Sequence, residues 1–324
     1  MKGAMSLILI GIDLGGTNVR MGVVTPNGEV QKRVQYPLER RKGAYGMMEE
    51  LASKLEVLLS EVSVGACVEV RIGLGVPGPV DLKRGILIEP PNLPELHQFP
   101  LRDFFEKRLP FCLVLENDAN AFALGEGWLG AAKGCQNYCG ITLGTGVGGG
   151  VVIEGKILRG QDGYGGEVGH MVLDPEGPAC GCGGKGCLEV FASATGIRRM
   201  ALEAFERRGL QGERIQNPSE LTSEDVFKAA EEGEEWAGEV FKAMGRYLGL
   251  GLVNLTNLFN PQRIVIGGKV AAAWDHFFPT ARKVLQERAM RGQRERVEVV
   301  RAQCGDDAGM IGAAYVALNF SNPI

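Results

Sequence analysis

Within one short, glycine-rich stretch the chain sets out His170, Cys180, Cys182 and Cys187. Three thiolates and one imidazole make a complete tetrahedral ligand set for Zn²⁺. Gly181, Gly183, Gly184 and Gly186 lie between and beside the cysteines, and they let backbone fold tightly around a small ion. Four protein ligands close the coordination sphere, so the zinc expected here is structural. The competing reading is a chance grouping or a redox centre. A zinc-bound imidazole keeps one free ring N–H, which is available to orient a substrate hydroxyl. The other five cysteines (Cys67, Cys112, Cys135, Cys139 and Cys304) are dispersed, and are expected to be small buried hydrophobes. Cys135 and Cys139 have metal-like spacing but no nearby histidine.

Two glycine clusters suggest a second chemistry. The denser is Gly144-Thr145-Gly146-Val147-Gly148-Gly149-Gly150, whose N–H groups, free of side chains, can converge on anionic oxygens. Asp13-Leu14-Gly15-Gly16-Thr17-Asn18 sets a carboxylate beside a similar turn, and a carboxylate near phosphates implies Mg²⁺. Either loop alone reads equally as a tight hairpin. Together with Gly267-Gly268 they point to phosphate. No G-x-x-x-x-G-K-[ST] motif is present, and Gly184-Lys185-Gly186 lacks the hydroxyl that would complete one. The glycines after Gly146 run into a strand instead of opening a helix, which argues against a nicotinamide cofactor.

The elements that must carry these residues are legible from their periodicity. Leu7 to Asp13 reads as a first core strand, and Val19 to Val24 as its hairpin partner. Met47, Met48, Leu51, Leu55, Leu58, Leu59 and Val62 have helical spacing. Ile72 to Val76 is a strand stopped by Pro77-Gly78-Pro79. A strand from Phe111 to Leu115 ends in Glu116-Asn117-Asp118, and a helix follows through Ala121, Leu124 and Trp128. Asp118 therefore sits where ligand-facing groups emerge in α/β sheets, and also where a helix N-cap belongs. Gly11-Ile12-Asp13-Leu14-Gly15 is echoed by Gly140-Ile141-Thr142-Leu143-Gly144 and again by Ile264-Val265-Ile266-Gly267-Gly268, which suggests two related halves. The polar stretch from Glu203 to Glu235 reads as exposed helices and a loop. A long helix follows with Trp236, Val240, Phe241, Met244, Tyr247 and Leu248 on its apolar side. Ala308 to Leu318 forms a small-residue helix suited to close packing.

Composition bounds the rest. The 324 residues are enough for two domains, and 45% apolar content supports real cores. A net charge of −4 argues against nucleic-acid or membrane-surface partners. Glycine, at 48 residues, is about twice as frequent as average, and it is clustered instead of periodic. No apolar run approaches the ~18 residues of a membrane span, and the apolar start is too short and too soon interrupted by Asp13 for a signal peptide. A cytoplasmic location is expected.

Read in order, the motifs resemble the ROK family (repressors, uncharacterised reading frames and sugar kinases) of the hexokinase–actin superfamily. The resemblance rests on Asp13 to Asn18, Gly75-Val76-Pro77-Gly78, Pro91-Asn92-Leu93-Pro94 and Glu116-Asn117-Asp118-Ala119-Asn120. It continues through Leu143 to Gly150, Gly166-Glu167-Val168-Gly169-His170, Cys180 to Glu189 and Ile264 to Gly268. Gly166 stands where the family usually has alanine. The resemblance implies an α/β fold of two ribonuclease H-like, actin-like domains with a cleft between them: a small one (1–117 plus 305–324) and a large one (118–304) bearing the zinc loop. It implies ATP-dependent phosphorylation of a hexose, glucose first, as in glycolysis. Asp118 would be the general base. Gly78, Asn92, Asn117, Asp118, Glu167, His170 and Glu189 would bind the sugar. Asp13, Gly15, Gly16, Thr17, Asn18, Gly144, Thr145, Gly146 and Gly148 would hold ATP phosphates and Mg²⁺, with Gly267 and Gly268 near the adenosine. The zinc loop would brace Glu189 and His170, and a homodimer or homotetramer is expected.

Other hexoses (fructose, mannose, N-acetylglucosamine, N-acetylmannosamine) stay open as substrates. A sugar-responsive repressor of the same family is the further alternative, disfavoured because Asp13 lies too near Met1 for a helix-turn-helix domain. A zinc-ribbon binding module is disfavoured by the single tetrad and the acidic charge.

Overall fold

The computed structural model describes residues 6–62, 68–111, 113–208 and 220–319, so Cys67 and Cys112 lie outside the described residues. The chain divides into two compact units. One comprises Met1–Gly134, Ile157–Gly166 and Gln303–Ile324, and the other Cys135–Lys156 and Glu167–Ala302. The first carries β1 (Ser6–Leu14), β2 (Asn18–Val24), β3 (Val30–Pro37), α1 (Gly43–Glu61), β4 (Val68–Val76) and the short pair β5 (Val80–Asp81) and β6 (Ile86–Leu87). Then come α2 (Leu101–Glu106), β7 (Leu113–Asn117) and α3 (Asp118–Trp128). The second carries β8 (Tyr138–Leu143), β9 (Val147–Ile153), β10 (Lys156–Ile157), α4 (Glu189–Ala192), α5 (Ala194–Arg208), α6 (Ser223–Glu231), α7 (Glu235–Phe259), β11 (Arg263–Gly267), α8 (Trp274–Arg288), α9 (Arg291–Arg294) and β12 (Glu298–Arg301). The last helix, α10 (Ala308–Asn319), belongs to the first unit.

The first sheet runs β3-β2-β1-β4-β7. Its β1–β2 and β2–β3 pairs are antiparallel, and its β1–β4 and β4–β7 pairs are parallel. β1 alternates strictly. Ile10, Ile12 and Leu14 enter the large core together with Met47, Met48, Leu51 and Leu55 of α1, while Leu9 packs with Ala314 and Ala317 of α10. This two-sided burial explains the nearly continuous apolar run of β1. Asp13 has the parity of Leu9 and Gly11, which turns it to the α10 side. There a side chain on Gly309 would meet its carboxyl at 2.9 Å.

The break expected after Asn117 does not fall there. α3 stays with the first unit, because its backbone packs on that of α10. A Cβ at Gly312 would overlap the Ala121 carbonyl oxygen, and one at Gly125 would overlap that of Ala308. Small residues are what permit this approach.

The second sheet runs β10-β9-β8-β11-β12, with β8–β9 antiparallel and β8–β11 and β11–β12 parallel. This is the order of the first sheet repeated. β8 therefore occupies the position of β1, as the Gly140–Gly144 echo suggested. The third echo, Ile264 to Gly268, is β11 and its exit. It corresponds to β4, the parallel neighbour of the first strand, and not to the first strand itself. α7 is the long helix expected from its apolar stripe, with Trp236, Val240, Phe241, Met244 and Leu248 buried. Among the described residues, no helix is long and apolar enough to cross a membrane.

The α3–α10 approach yields a paired test. Gly312→Ala should lower the thermal unfolding midpoint, by overpacking worth about 1–3 kcal/mol. Gly238→Ala lies within α7, where the added methyl meets nothing within 4 Å. It should raise the midpoint, by up to about 1 kcal/mol of helix propensity. Thermal unfolding followed by circular dichroism reads both, and equal shifts in the two variants would contradict the packing assignment.

Candidate active site

In the first unit the site is built on the turns at the ends of β1, β4 and β7. The β1–β2 hairpin closes through the Gly15 N–H donating to the Asn18 carbonyl at 3.0 Å. Asn92 lies against this turn, where a Cβ on Gly16 would sit 3.0 Å from that of Asn92. Gly78 follows β4 with φ of 79°, a left-handed conformation that suits glycine. Its carbonyl accepts Asn117 Nδ2 at 3.3 Å. The structure thus brings Gly78 to Asn117 and Asn92 to Gly16.

Of the two sequence readings of Asp118, the N-cap role falls to its neighbour. The N-cap of α3 is Asn117, whose Oδ1 accepts the N–H groups of Ala119 at 3.0 Å and Asn120 at 3.1 Å. Asp118 occupies the first helical position, half-buried, and its Oδ1 is held by Asn117 Nδ2 at 3.2 Å and by the Ala119 N–H at 2.8 Å. The helix N-terminus favours its negative charge. Sequence reasoning passed over Glu116, buried one residue before the cap, and its partner Arg159. A charged residue next to last in an otherwise apolar strand was the available signal.

Asp13 faces the start of α10, with Arg20 Nη1 3.9 Å away. Burial pushes its carboxyl up to about 6, Arg20 opposes this, and Asp306 adds to it. A carboxylate disfavoured in its charged form, beside a glycine turn, suits a cation arriving with phosphate.

In the second unit the glycine cluster divides. Only Gly144, Thr145 and Gly146 form the turn, closed by the Gly144 N–H on the Gly146 carbonyl at 3.0 Å. Gly148 to Gly150 belong to β9, paired with Thr142, Ile141 and Gly140. The absent side chain of Gly149 serves packing, since a Cβ there would overlap Val168. The seven-residue loop expected from sequence is therefore a three-residue turn and a glycine strand. Strand pairing explains why backbone groups beyond Gly146 are committed to a ladder. The turn is braced by the Ala194 N–H on the Gly144 carbonyl at 2.8 Å and by Thr195 Oγ1 on the Thr145 carbonyl at 2.9 Å. Gly268, with φ of 87°, packs directly on Leu143 at the end of β8, which places Gly267-Gly268 beside this turn.

Glu189 opens α4 and reaches the same turn. Its Oε2 accepts the Val147 N–H at 3.0 Å and would be overlapped by a Cβ on Gly146, while Cys180 Sγ lies 3.8 Å from its Oε1. Glu167 precedes a short 3₁₀ turn ending at His170. Partial desolvation raises its carboxyl above the ordinary range, with His170 lowering it and Glu189 raising it; the residue remains exposed, so water limits the effect. Glu167, His170 and Glu189 are thus one electrostatic group.

The metal set is also assembled. Donor atoms of His170, Cys180, Cys182 and Cys187 lie within 4.8 Å of one another. Cys182 Sγ and Cys187 Sγ are 3.7 Å apart, and Cys180 Sγ and His170 Nδ1 are 3.6 Å apart. Zn–S bonds near 2.3 Å give a tetrahedral edge of about 3.8 Å, so the donors fit Zn²⁺. The loop is shaped by the Cys180 N–H on the Gly184 carbonyl at 2.9 Å and the Gly183 N–H on the Cys180 carbonyl at 3.0 Å. Elsewhere Cys139 is buried in β8, whereas Cys135 and Cys304 are half-buried. Among the described residues, the tetrad is the one such cluster found.

Comparisons with known proteins give the family. The model of the ROK family matches residues 9–319. A glucokinase of Thermotoga maritima is 37% identical over 312 residues, which cover 96% of this chain and 97% of the relative. The crystal structure of a ROK hexokinase from Thermus thermophilus superposes with a TM-score of 0.81 at 37% identity, covering 96% of this chain and 97% of that one. A ROK family glucokinase from Streptomyces griseus, solved in complex with glucose and AMPPNP, superposes with a TM-score of 0.79 at 33% identity, covering 96% and 99%.

The Asp13 environment predicts a pH-dependent stability. Its carboxyl rises from 3.8 to about 6 on folding, so the stability it contributes is full below the unfolded value and is lost as pH rises through about 6. Asp13→Asn, tested without ligand, should therefore be more stable than the parent at pH 8, by on the order of 1–3 kcal/mol. The advantage should vanish below pH 4. Thermal melts at both pH values decide, and a gain independent of pH would contradict the assignment.

Proposed function

The chain belongs to the ROK family, and from that premise we propose that it is an ATP-dependent hexose kinase that converts glucose to glucose 6-phosphate. The observation that carries the mechanism is the division of labour at the start of α3. Asn117 caps the helix, so Asp118 is left with its carboxylate in the first turn as the general base. In this reading Asp118 accepts the proton of the attacking sugar hydroxyl. Phosphoryl transfer passes through a loose transition state, so the proton can move late and the carboxylate needs no raised pKa. Alignment supplies most of the acceleration.

Gly78, Asn92 and Asn117, and Glu167, His170 and Glu189, are proposed to bind the remaining hydroxyls. Each hydroxyl both donates and accepts, and carboxylates and amides satisfy it with directional bonds. The turns Gly15 to Asn18 and Gly144 to Gly146 are proposed to hold phosphates. Gly148, now placed in β9, is proposed to contribute only through the strand that shapes the second turn, and Gly267-Gly268 to line the adenosine. Mg²⁺ brought with the nucleotide would neutralise phosphate charge, and Asp13 is the residue proposed to meet it. Zn²⁺ at His170, Cys180, Cys182 and Cys187 is proposed as structural. His170 faces Cys180 through Nδ1, which supports Nδ1 as the ligand and leaves the Nε2 N–H for sugar.

Asp118→Asn should keep glucose binding but lose on the order of 10²–10⁴ in kcat. ADP release coupled to a hexose panel measures this, and undiminished turnover would refute the base assignment. Glucose should have the highest kcat/KM of the panel; another hexose in first place would overturn the substrate. For the metal, elemental analysis should give about one zinc per folded chain. Cys182→Ser should lower both zinc content and melting temperature. Zinc-free protein with an unchanged melt would remove the metal from the account.

A further inference from the structure

The strand that delivers Asp118 ends with a charged residue in the core. Glu116 is 1% exposed, and its carboxylate is fully engaged. Oε1 accepts the Asn117 N–H at 3.1 Å and Asn120 Nδ2 at 3.0 Å. Oε2 accepts Arg159 Nε at 3.0 Å and Nη2 at 2.6 Å. The first oxygen therefore spans the corner between β7 and α3, holding the residue before Asp118 and one two places after it. The second oxygen is held by a single guanidinium.

Satisfying two N–H donors at a corner does not by itself require charge, since a neutral side chain or a water does it. A buried carboxylate carries a desolvation cost that only a specific counter-charge offsets. Here that counter-charge comes from far along the chain. Arg159 precedes Gly160, which has φ of 67°, and the Gly165 N–H returns to the Arg159 carbonyl at 2.9 Å. The segment is thus a small closed loop that presents the guanidinium. Arginine suits the task because its planar head places two N–H groups on one oxygen, where lysine would offer a point charge.

We propose that Arg159 is a positioning residue for phosphoryl transfer: paired with Glu116, it fixes the β7–α3 corner and through it the aim of the Asp118 carboxylate. The proposal rests on Asp118 being the base. Misplacement of a reacting group by about 1 Å costs roughly 10² in rate, whereas binding of a multidentate sugar tolerates it better. Loss of the guanidinium should therefore appear in kcat more than in KM.

The test compares Arg159→Ala, Arg159→Lys, Glu116→Gln and Asp118→Asn in the full chain. Arg159→Ala should lose about 10–100-fold in kcat, with the KM for glucose changed by less than about threefold. Arg159→Lys should fall between it and the parent. Because the Arg159 side chain is 41% exposed, millimolar guanidinium can enter the vacated place. It should restore turnover to Arg159→Ala but not to Glu116→Gln or Asp118→Asn. A merely structural ion pair would lower the melting temperature, leave kcat at 25 °C within about twofold and show no such rescue; that result overturns the proposal. A parallel rise in KM would assign Arg159 to sugar binding and also overturn it. If Arg159→Ala fails to fold, the kcat of Arg159→Lys and Glu116→Gln decides in its place. Full activity in Asp118→Asn would instead remove the base reading, which the other variants leave untouched.

Discussion

Everything at the proposed reaction centre depends on which residue caps α3. A helix start leaves backbone N–H groups without partners, and a side-chain oxygen normally fills the gap. In this chain the amide of Asn117 does so, accepting from Ala119 and Asn120. Asp118 shares only the first of these donors, its Oδ1 accepting the Ala119 N–H at 2.8 Å, and the Asn120 N–H goes to Asn117. Moving the capping role one residue upstream leaves an acid in the first turn, favoured as an anion by the helix end and steadied by Asn117 Nδ2. One amide thus performs two tasks. Its carbonyl end caps, and its NH₂ end touches both Asp118 and the Gly78 carbonyl.

The second unit solves a related problem with different parts. Its glycine turn is not free backbone but is gripped from both sides. Ala194 and Thr195 hold the carbonyls of Gly144 and Thr145, and Glu189 takes the Val147 N–H just past the turn. Glu189 also adjoins Cys180, so one carboxylate links the turn to the cysteine loop. The bond that reaches the turn is the one from the Val147 N–H to Glu189 Oε2, while Cys180 Sγ lies beside the other oxygen. Glu189 is thus the residue that the turn and the cysteine loop share.

Much of this was legible in the sequence. The apolar runs Leu7 to Asp13 and Val19 to Val24 on either side of a glycine turn, and the helical spacing of Met47 to Leu59, sufficed for the first hairpin and its helix. The His170–Cys187 spacing sufficed for the tetrad. What misled was glycine, which has two uses that composition does not separate. At Gly144 and Gly146 it makes a turn, whereas at Gly149 and Gly312 it removes a side chain so that another element can come close. The unit boundary was misplaced for the same reason. The affinity of α3 for α10 lies in backbone approach between residues nearly 200 apart, which no local window contains. The ion pair between Glu116 and Arg159 was hidden likewise, because only the fold brings a loop arginine to a strand end.

The glycines and the buried acids point to one compromise. Asp13 and Glu116 are both carboxylates in poorly hydrated places, yet they are treated oppositely. Glu116 is given a full shell of donors and a counter-charge, and its position is fixed. Asp13 has a single arginine nitrogen at 3.9 Å, and burial raises its carboxyl to about 6. A side chain whose partners are complete can serve only to hold shape. One whose charge is under-compensated carries an electrostatic cost that an added positive charge would lower. The two acids of this unit therefore differ in how completely they are partnered: Glu116 is locked into the core, and Asp13, half-buried, keeps charge uncompensated.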